Sequence, residues 1–440
     1  MRIIHNGSLM TNDPSLKFIA DGAVAVDGGR IIAVGNGEAI RQTYCDAELI
    51  DAKGGIIMPG LVDTHTHLYR ILARGRAEEG ALLRSEFELR RGFWQRIEGK
   101  LSLDDCIRAA YAAMAQAVHC GVTTMVDMHF CFPDPRASLI AIAGAANDIG
   151  IRACLGFGVS ASLGNAVFEA AIEENLGFIE YCGARPELAV RALFGFDGLS
   201  DIEDSRLWRI AVAVGSRAGY EVSLDGGNAE LFDSLRRLGR SPVARLSELG
   251  LLGEKTIICH GSGLRSDDLA LLKQAGSFVA EAPFSPARSE KIRLDALLRV
   301  GVNTSLATDG AFADPVTAAM FALDRLLNSP DIDLACSAYA DTGRLLFAGG
   351  EFVSRCFGYE IGIIKPEAAA DIIIIDVPRY TEPDGNNVHL HLLAGGAKCT
   401  FSMINGRIVM LDGILQTANE EFITKRCAAA SRALWERAGK

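Results

Sequence analysis

The chain has 440 residues, 49% of them hydrophobic and 22% charged, with a formal net charge of −11 at pH 7. Such a composition describes a globular protein able to bury a large core. The acidic balance excludes affinity built on neutralising phosphates, and no stretch stays apolar for the roughly 18 residues of a membrane span, so neither a nucleic-acid nor a membrane partner is expected.

The N-terminus, MRIIHNG, has no apolar leader-like run and passes directly into strand-like sequence. Residues 22–35, GAVAVDGGRIIAVG, read as two β-rich runs around Asp27-Gly28-Gly29, a tight hairpin signal. A similar unit closes the chain, where DIIIID at 371–376 precedes FSMINGRIVMLDG at 401–413, with its Asn405-Gly406 turn. The two ends are therefore expected to build one small β domain together.

Between them, eight apolar β-rich runs alternate with helical stretches: GLVDTHTHL, GVTTMVDMH, IRACLGFGV, ELAVRALFGF, YEVSLDG, TIICHG, SFVAEAP and NTSLATDG. Helices are predicted at 103–119, opened by Ser102 and closed by Gly121, and at 267–275, opened by Ser266 and closed by Gly276. Eight continuously apolar strands alternating with helices predict an α/β fold, a (β/α)8 TIM barrel, joined to a small β-sandwich from both termini. The expected boundaries are 1–58 with 360–417 for the β-sandwich, 59–359 for the barrel, and 418–440 for a C-terminal helix packed on the surface.

The eleven cysteines follow no CxxC or regular spacing, which reads as buried thiols in a reducing, cytoplasmic compartment. The charge balance suits a small neutral or cationic substrate, and a homo-oligomer, dimer or larger, is the expected assembly.

The chemistry collects at strand ends. His65 and His67 close the first barrel strand, and a two-residue period points both imidazoles to one face at the barrel mouth, half of a zinc-type site. His389-Leu390-His391 repeats the spacing in the C-terminal β-rich segment, outside the eight strands, and reads as a surface or packing pair rather than a metal pair. His260 ends the sixth strand and Asp309 the eighth, so both reach the mouth occupied by His65 and His67. Taken singly, His260 also reads as a structural histidine and Thr308-Asp309-Gly310 as a bare turn; jointly the four make a metal-compatible set.

The segments MPGLVDTHTHL, ICHGSGLRSDDLALLKQAGSFVAEAPFSP and SLATDGAFADP resemble, in order and spacing, the amidohydrolase superfamily, in its cytosine/guanine deaminase and triazine chlorohydrolase branch. GRIIAVG, GIIKPEAAADIIIID and INGRIVMLDG are similar to that branch's split β-sandwich. The resemblance implies one divalent cation, zinc first with iron or manganese as alternatives, bound by His65, His67 and Asp309. It further implies that His260 polarises the substrate or the attacking water and that Asp309 accepts a proton. The expected activity is metal-activated hydrolysis of a C–N bond in a small nitrogen heterocycle, by deamination or amidine or lactam hydrolysis. C–halogen hydrolysis of such a ring, or ligand binding without turnover, are the alternatives.

Two strands depart from the family pattern. Where the fifth ordinarily reads like HIHAAE, this chain has VSLDGGN, placing Asp225 at the ligand histidine and Asn228 at the proton-shuttling glutamate; no histidine occurs between residues 130 and 259. Asp225 reads either as a carboxylate ligand or as part of a bare turn, and a two-His, two-Asp shell is harder and more anionic than the usual set. An amide at 228 cannot exchange protons. The fourth strand carries Gly195-Phe196-Asp197-Gly198 in place of an HAP-type motif. Glu281, ending the seventh strand, and His129, ending the second, are the remaining titratable groups at the rim; either offers a proton-transfer group, with Glu281 the catalytic candidate, and each also reads as a surface or core-satisfied residue. The segment 74–100 reads either as a lid, with Phe87, Phe93 and Trp94 covering a flat ring, or as a solvated helix with packing aromatics.

Overall fold

The computed structural model describes residues 1–76, 89–224, 226–284, 294–378 and 380–439. Among them, the N-terminal strands are β1 (Arg2–Met10), β2 (Phe18–Asp27), β3 (Arg30–Asn36), β4 (Glu48–Asp51) and β5 (Ile56–Pro59). The eight central strands are β6 (Leu61–Thr66), β7 (Val122–His129), β8 (Arg152–Val159), β9 (Val190–Asp197), β10 (Gly219–Leu224), β11 (Thr256–His260), β12 (Phe278–Glu281) and β13 (Asn303–Leu306). The chain returns through β14 (Ile372–Asp376), β15 (Lys398–Ile404), β16 (Arg407–Leu411) and β17 (Ile414–Leu415).

Strands β6 to β13 pair in parallel and in chain order, with each neighbour hydrogen-bonded to the next. All eight predicted runs are strands of this sheet. The circle closes between β13 and β6 mainly through side chains. Thr64 Oγ1 donates to Leu306 O at 2.8 Å, and Asp63 accepts from Thr308 N at 3.0 Å and Thr308 Oγ1 at 2.6 Å. Asp309 N donates to His65 O at 3.0 Å, which joins the first strand to the end of the eighth. The barrel floor is apolar: Val62, Val126, Cys154, Leu193, Ile257 and Phe278 form one cluster with Phe352, Val353 and Phe357 of the helix Ile332–Phe357.

The terminal strands form a separate mixed sheet, in which β14 lies antiparallel to β5 and β1 lies parallel to β4 and β5. Both expected hairpins are present: Asp27 faces Arg30, and Ile404 faces Arg407 across Asn405 and Gly406, whose φ values of +52° and +73° suit a primed turn. Arg152 on β8 and Asp371 just before β14 fasten the two sheets. Both side chains are buried, with Nε–Oδ2 at 2.6 Å, and Arg152 Nη2 also donates to Asn405 Oδ1 at 3.0 Å.

The helix Leu103–His119 begins at Ser102, whose hydroxyl accepts from Asp105 N while Asp105 accepts from Ser102 N, a reciprocal cap. The second predicted helix starts one residue earlier than expected, at Ser266; Arg265 is the flanking residue, and its N–H is satisfied by Asp268 at 2.9 Å. His389 and His391 lie on a short helix, Val388–Leu393, rather than in a strand, because Asp384 and Asn387 turn the chain just before it. The terminal helix Glu420–Arg437 seats Trp435 on the segment after β6, its indole N–H donating to Leu72 O at 3.0 Å. Among the described residues, no helix is long and apolar enough to cross a membrane.

Candidate metal centre

The carboxyl ends of β6, β11 and β13 bring His65, His67, His260 and Asp309 to one point. Asp309 Oδ1 lies 3.5 Å from His65 Nε2, 3.4 Å from His67 Nε2 and 3.5 Å from His260 Nε2. Donors about 2.0–2.1 Å from a shared ion stand roughly 3.3–3.4 Å apart at tetrahedral angles, so the contacts of Asp309 with His65 and His67 fit a zinc-sized cation, and the ligand atoms of these three residues all lie within 4.8 Å of one another. Among the described residues, His65 Nε2 and Asp309 Oδ1 are buried and have no hydrogen-bond partner, as donors awaiting a cation do. His260 and Asp309 both sit at left-handed φ, +61° and +52°. The glycine after Asp309 is required by space: a Cβ at Gly310 would come within 2.7 Å of His67 O.

A second layer orients the donors. His67 Nδ1 donates to Met128 O at 2.7 Å, which leaves Nε2 with its lone pair toward the common point. Burial, reinforced by the nearby Arg70 charge, lowers the His67 pKa to about 3, so its ring is neutral as a ligand must be. His65 Nδ1 is 2.6 Å from Glu221 Oε1 of β10, both side chains being fully enclosed. Arg70 Nη1 meets Asp309 Oδ2 at 2.6 Å and Asp309 O at 2.7 Å, and its guanidinium lies 4.4 Å from the Trp94 ring centre. Burial pushes the Asp309 pKa up, but Arg70 and the His260 and His65 imidazoles outweigh it and hold it well below the usual carboxylate range.

The other candidates have different surroundings. Asp225 and Phe87 lie outside the described residues. Asn228 is in the first turn of the helix Gly227–Leu238. Glu281 is buried and ion-paired with Arg325 of the helix Pro315–Leu327. His129 is buried in register with Phe157, their ring centres 5.7 Å apart, and neither ring nitrogen has a hydrogen-bond partner among the described residues. Asp197, at the altered fourth strand, is held by Arg90 through contacts of 3.1 and 2.8 Å; Arg90 also binds Glu98 at 2.7 Å. This pair lines a cavity of about 500 Å³ with Gly198, Gly226 and Glu230. From the aromatic segment, Trp94 stacks on Arg70 and stands edge-on to Tyr69, whereas Phe93 packs between Trp94 and Trp435.

Glu221 and Arg70 were not among the predicted site residues. A glutamate inside a buried strand is seldom left unpaired, and that was the available signal for Glu221. Arg70 lies in the short helical turn Leu68–Ala73, where no pattern marks it.

A parallel eight-stranded near-barrel with three imidazoles and a carboxylate converging at its mouth defines a class of metal-binding barrel proteins. The chain belongs to the amidohydrolase family: residues 56–409 match that family, and residues 22–45 match the bacterial imidazolonepropionase-like composite domain. The family is one of enzymes, and relatives that align along the whole chain are deaminases. A 5'-deoxyadenosine deaminase of Methanosarcina mazei is 27% identical over 446 residues, covering 98% of each chain. A 5-methylthioadenosine/S-adenosylhomocysteine deaminase of Syntrophobacter fumaroxidans is 29% identical over 450 residues, again covering 98% of each. Among solved structures, an adenosine deaminase from Xanthomonas campestris with bound zinc superposes with a TM-score of 0.84 at 20% identity, covering 99% of this chain and 98% of that one. The zinc complex of atrazine chlorohydrolase from Arthrobacter aurescens TC1 gives 0.81 at 21% identity, covering 98% and 100%.

Proposed function

We propose that this amidohydrolase holds one zinc ion through His65, His67 and Asp309, with His260 beside it, and uses water to replace an exocyclic amino group on a small nitrogen heterocycle, of the kind adenine nucleosides carry, releasing ammonia. The observation that carries the reading is the convergence of three imidazole Nε2 atoms on Asp309 Oδ1 at 3.4–3.5 Å. A divalent cation bound there lowers the pKa of a coordinated water to about 7.

The chain's own residues supply the rest. Met128 O and Glu221 fix the two β6 imidazoles so that their Nε2 atoms face the same point. Asp309 stays ionised beside Arg70, and its carboxylate takes a proton from the attacking water. His260, the least buried of the three histidines, faces the substrate side and donates to the ring atom on which negative charge develops. Glu281, bound to Arg325, is a poor proton carrier and is given no step. Asp225 is kept as an additional oxygen donor.

Ammonia release at a set substrate concentration tests the reading, with 5'-deoxyadenosine, 5'-methylthioadenosine and S-adenosylhomocysteine as the first panel. Zinc-loaded parent should turn over at least one of them, and His65→Ala or Asp309→Ala should lose bound metal and turnover together. Retention of both by either variant would end the proposal. A second reading is favoured by Asn228: an amide cannot protonate a departing amine, whereas a halide leaves without a proton. Chloride release from a chlorinated triazine, with no ammonia from any aminated ring, would select it.

A further inference from the structure

We infer that Glu221 is a positioning residue for the metal centre, setting cation affinity through His65 without touching the cation itself. The inference rests on the metal site proposed above and concerns a residue of β10.

Glu221 Oε1 approaches His65 Nδ1 at 2.6 Å, on the edge of the ring away from Asp309, which faces Nε2. Both side chains are closed to solvent, with fractional exposures of 1% for His65 and zero for Glu221. An imidazole has two nitrogens and one proton, so a carboxylate at Nδ1 places the proton there and leaves the Nε2 lone pair for a cation. The contact also increases the electron density that Nε2 offers. Glu221 has few competing partners: Cys259 Sγ stands 3.8 Å from the same oxygen, and Oε2 is buried with no hydrogen bond among the described residues. A buried carboxylate placed in this way is costly unless it answers a positive centre, and a cation beyond His65 provides one.

Zinc affinity of the full-length parent, E221Q and E221D, measured by competition with a chromogenic chelator, tests the inference. E221Q keeps the volume and should bind zinc 10- to 100-fold more weakly, in the range seen for such supporting groups. Its cobalt-substituted form should show shifted ligand-field bands, which a purely structural residue would not move. E221D keeps the charge but is one methylene too short, so it should also weaken binding. Parent-like affinity in E221D beside a weakened E221Q would assign the effect to charge alone and overturn the positioning role. Unchanged affinity in E221Q overturns the inference while leaving the metal site standing; a parent that binds no zinc overturns both. Long-range proton–nitrogen spectra of zinc-loaded parent need no variant: they should show His65 protonated at Nδ1, and a proton on Nε2 would overturn the assignment.

Discussion

His129 shows what burial does to a titratable group with no hydrogen-bond partner among the described residues. Burial lowers its pKa from 6.5 to about 3 in the folded chain. In the unfolded chain the ring regains its ordinary value, so falling pH favours unfolding. The stability that depends on a neutral His129 is complete above about pH 6.5 and is lost progressively toward pH 3, reaching about 2 kcal/mol by pH 5. Urea unfolding of the parent and His129→Leu at pH 7 and pH 5 should show the variant losing about that much less on acidification. Parallel losses in both proteins would refute the account. The convergence of His65, His67, His260 and Asp309 was legible because each lies at or just beyond the end of a strand, and strand ends share one rim. Glu221 and Arg70 were not, because their meaning comes from pairings across the barrel, Glu221 with a residue 156 positions away and Arg70 with one 239 away.

At the level of elements, hydrophobic continuity and cap residues carried most of the information. The eight strands are apolar runs bounded by helix signals, and that pattern survives any tertiary context that buries both faces. Ser102 is the clearest local determinant, since its hydroxyl and the Asp105 carboxylate satisfy each other's backbone N–H. Ser102→Ala should destabilise the protein by about 1 kcal/mol, measured as a shift of the denaturation midpoint at constant slope, and Ser102→Thr should recover most of it. The Ser266 assignment shows the weakness of such reasoning. Both Arg265 and Ser266 precede an acidic pair, and which backbone N–H Asp268 accepts from is decided by geometry that composition does not encode. The His389 segment is a similar case, where a turn too local for periodicity redirects an apolar run into a helix.

Across the whole molecule, the terminal sheet is joined to the barrel by a buried ion pair as well as by continuous chain. Arg152 and Asp371 are closed to water, and Arg152 Nη1 also donates to Tyr359 Oη at 2.6 Å. Removing one partner leaves a charge enclosed without its counterion, a loss of about 3–5 kcal/mol. Asp371→Asn should therefore lower the unfolding temperature markedly, while the double replacement Arg152→Met, Asp371→Leu should recover much of the loss. Equal destabilisation by both would show that shape, not charge, holds the sheets together. That both termini share a sheet was legible from two glycine-marked hairpins; the residues fastening it to the barrel were not, since each is an ordinary charged residue in sequence.

The left-handed backbone at His260 and Asp309 has a further consequence. A side chain with a Cβ in that region costs on the order of 1–3 kcal/mol, a cost glycine escapes. In protein stripped of metal, His260→Gly should accordingly be about 1 kcal/mol more stable than His260→Ala, and calorimetry of the two can check it. The mouth of the barrel is thus held under tension at the very residues proposed to act there, and a chain relieved of that role would gain resilience by giving them up.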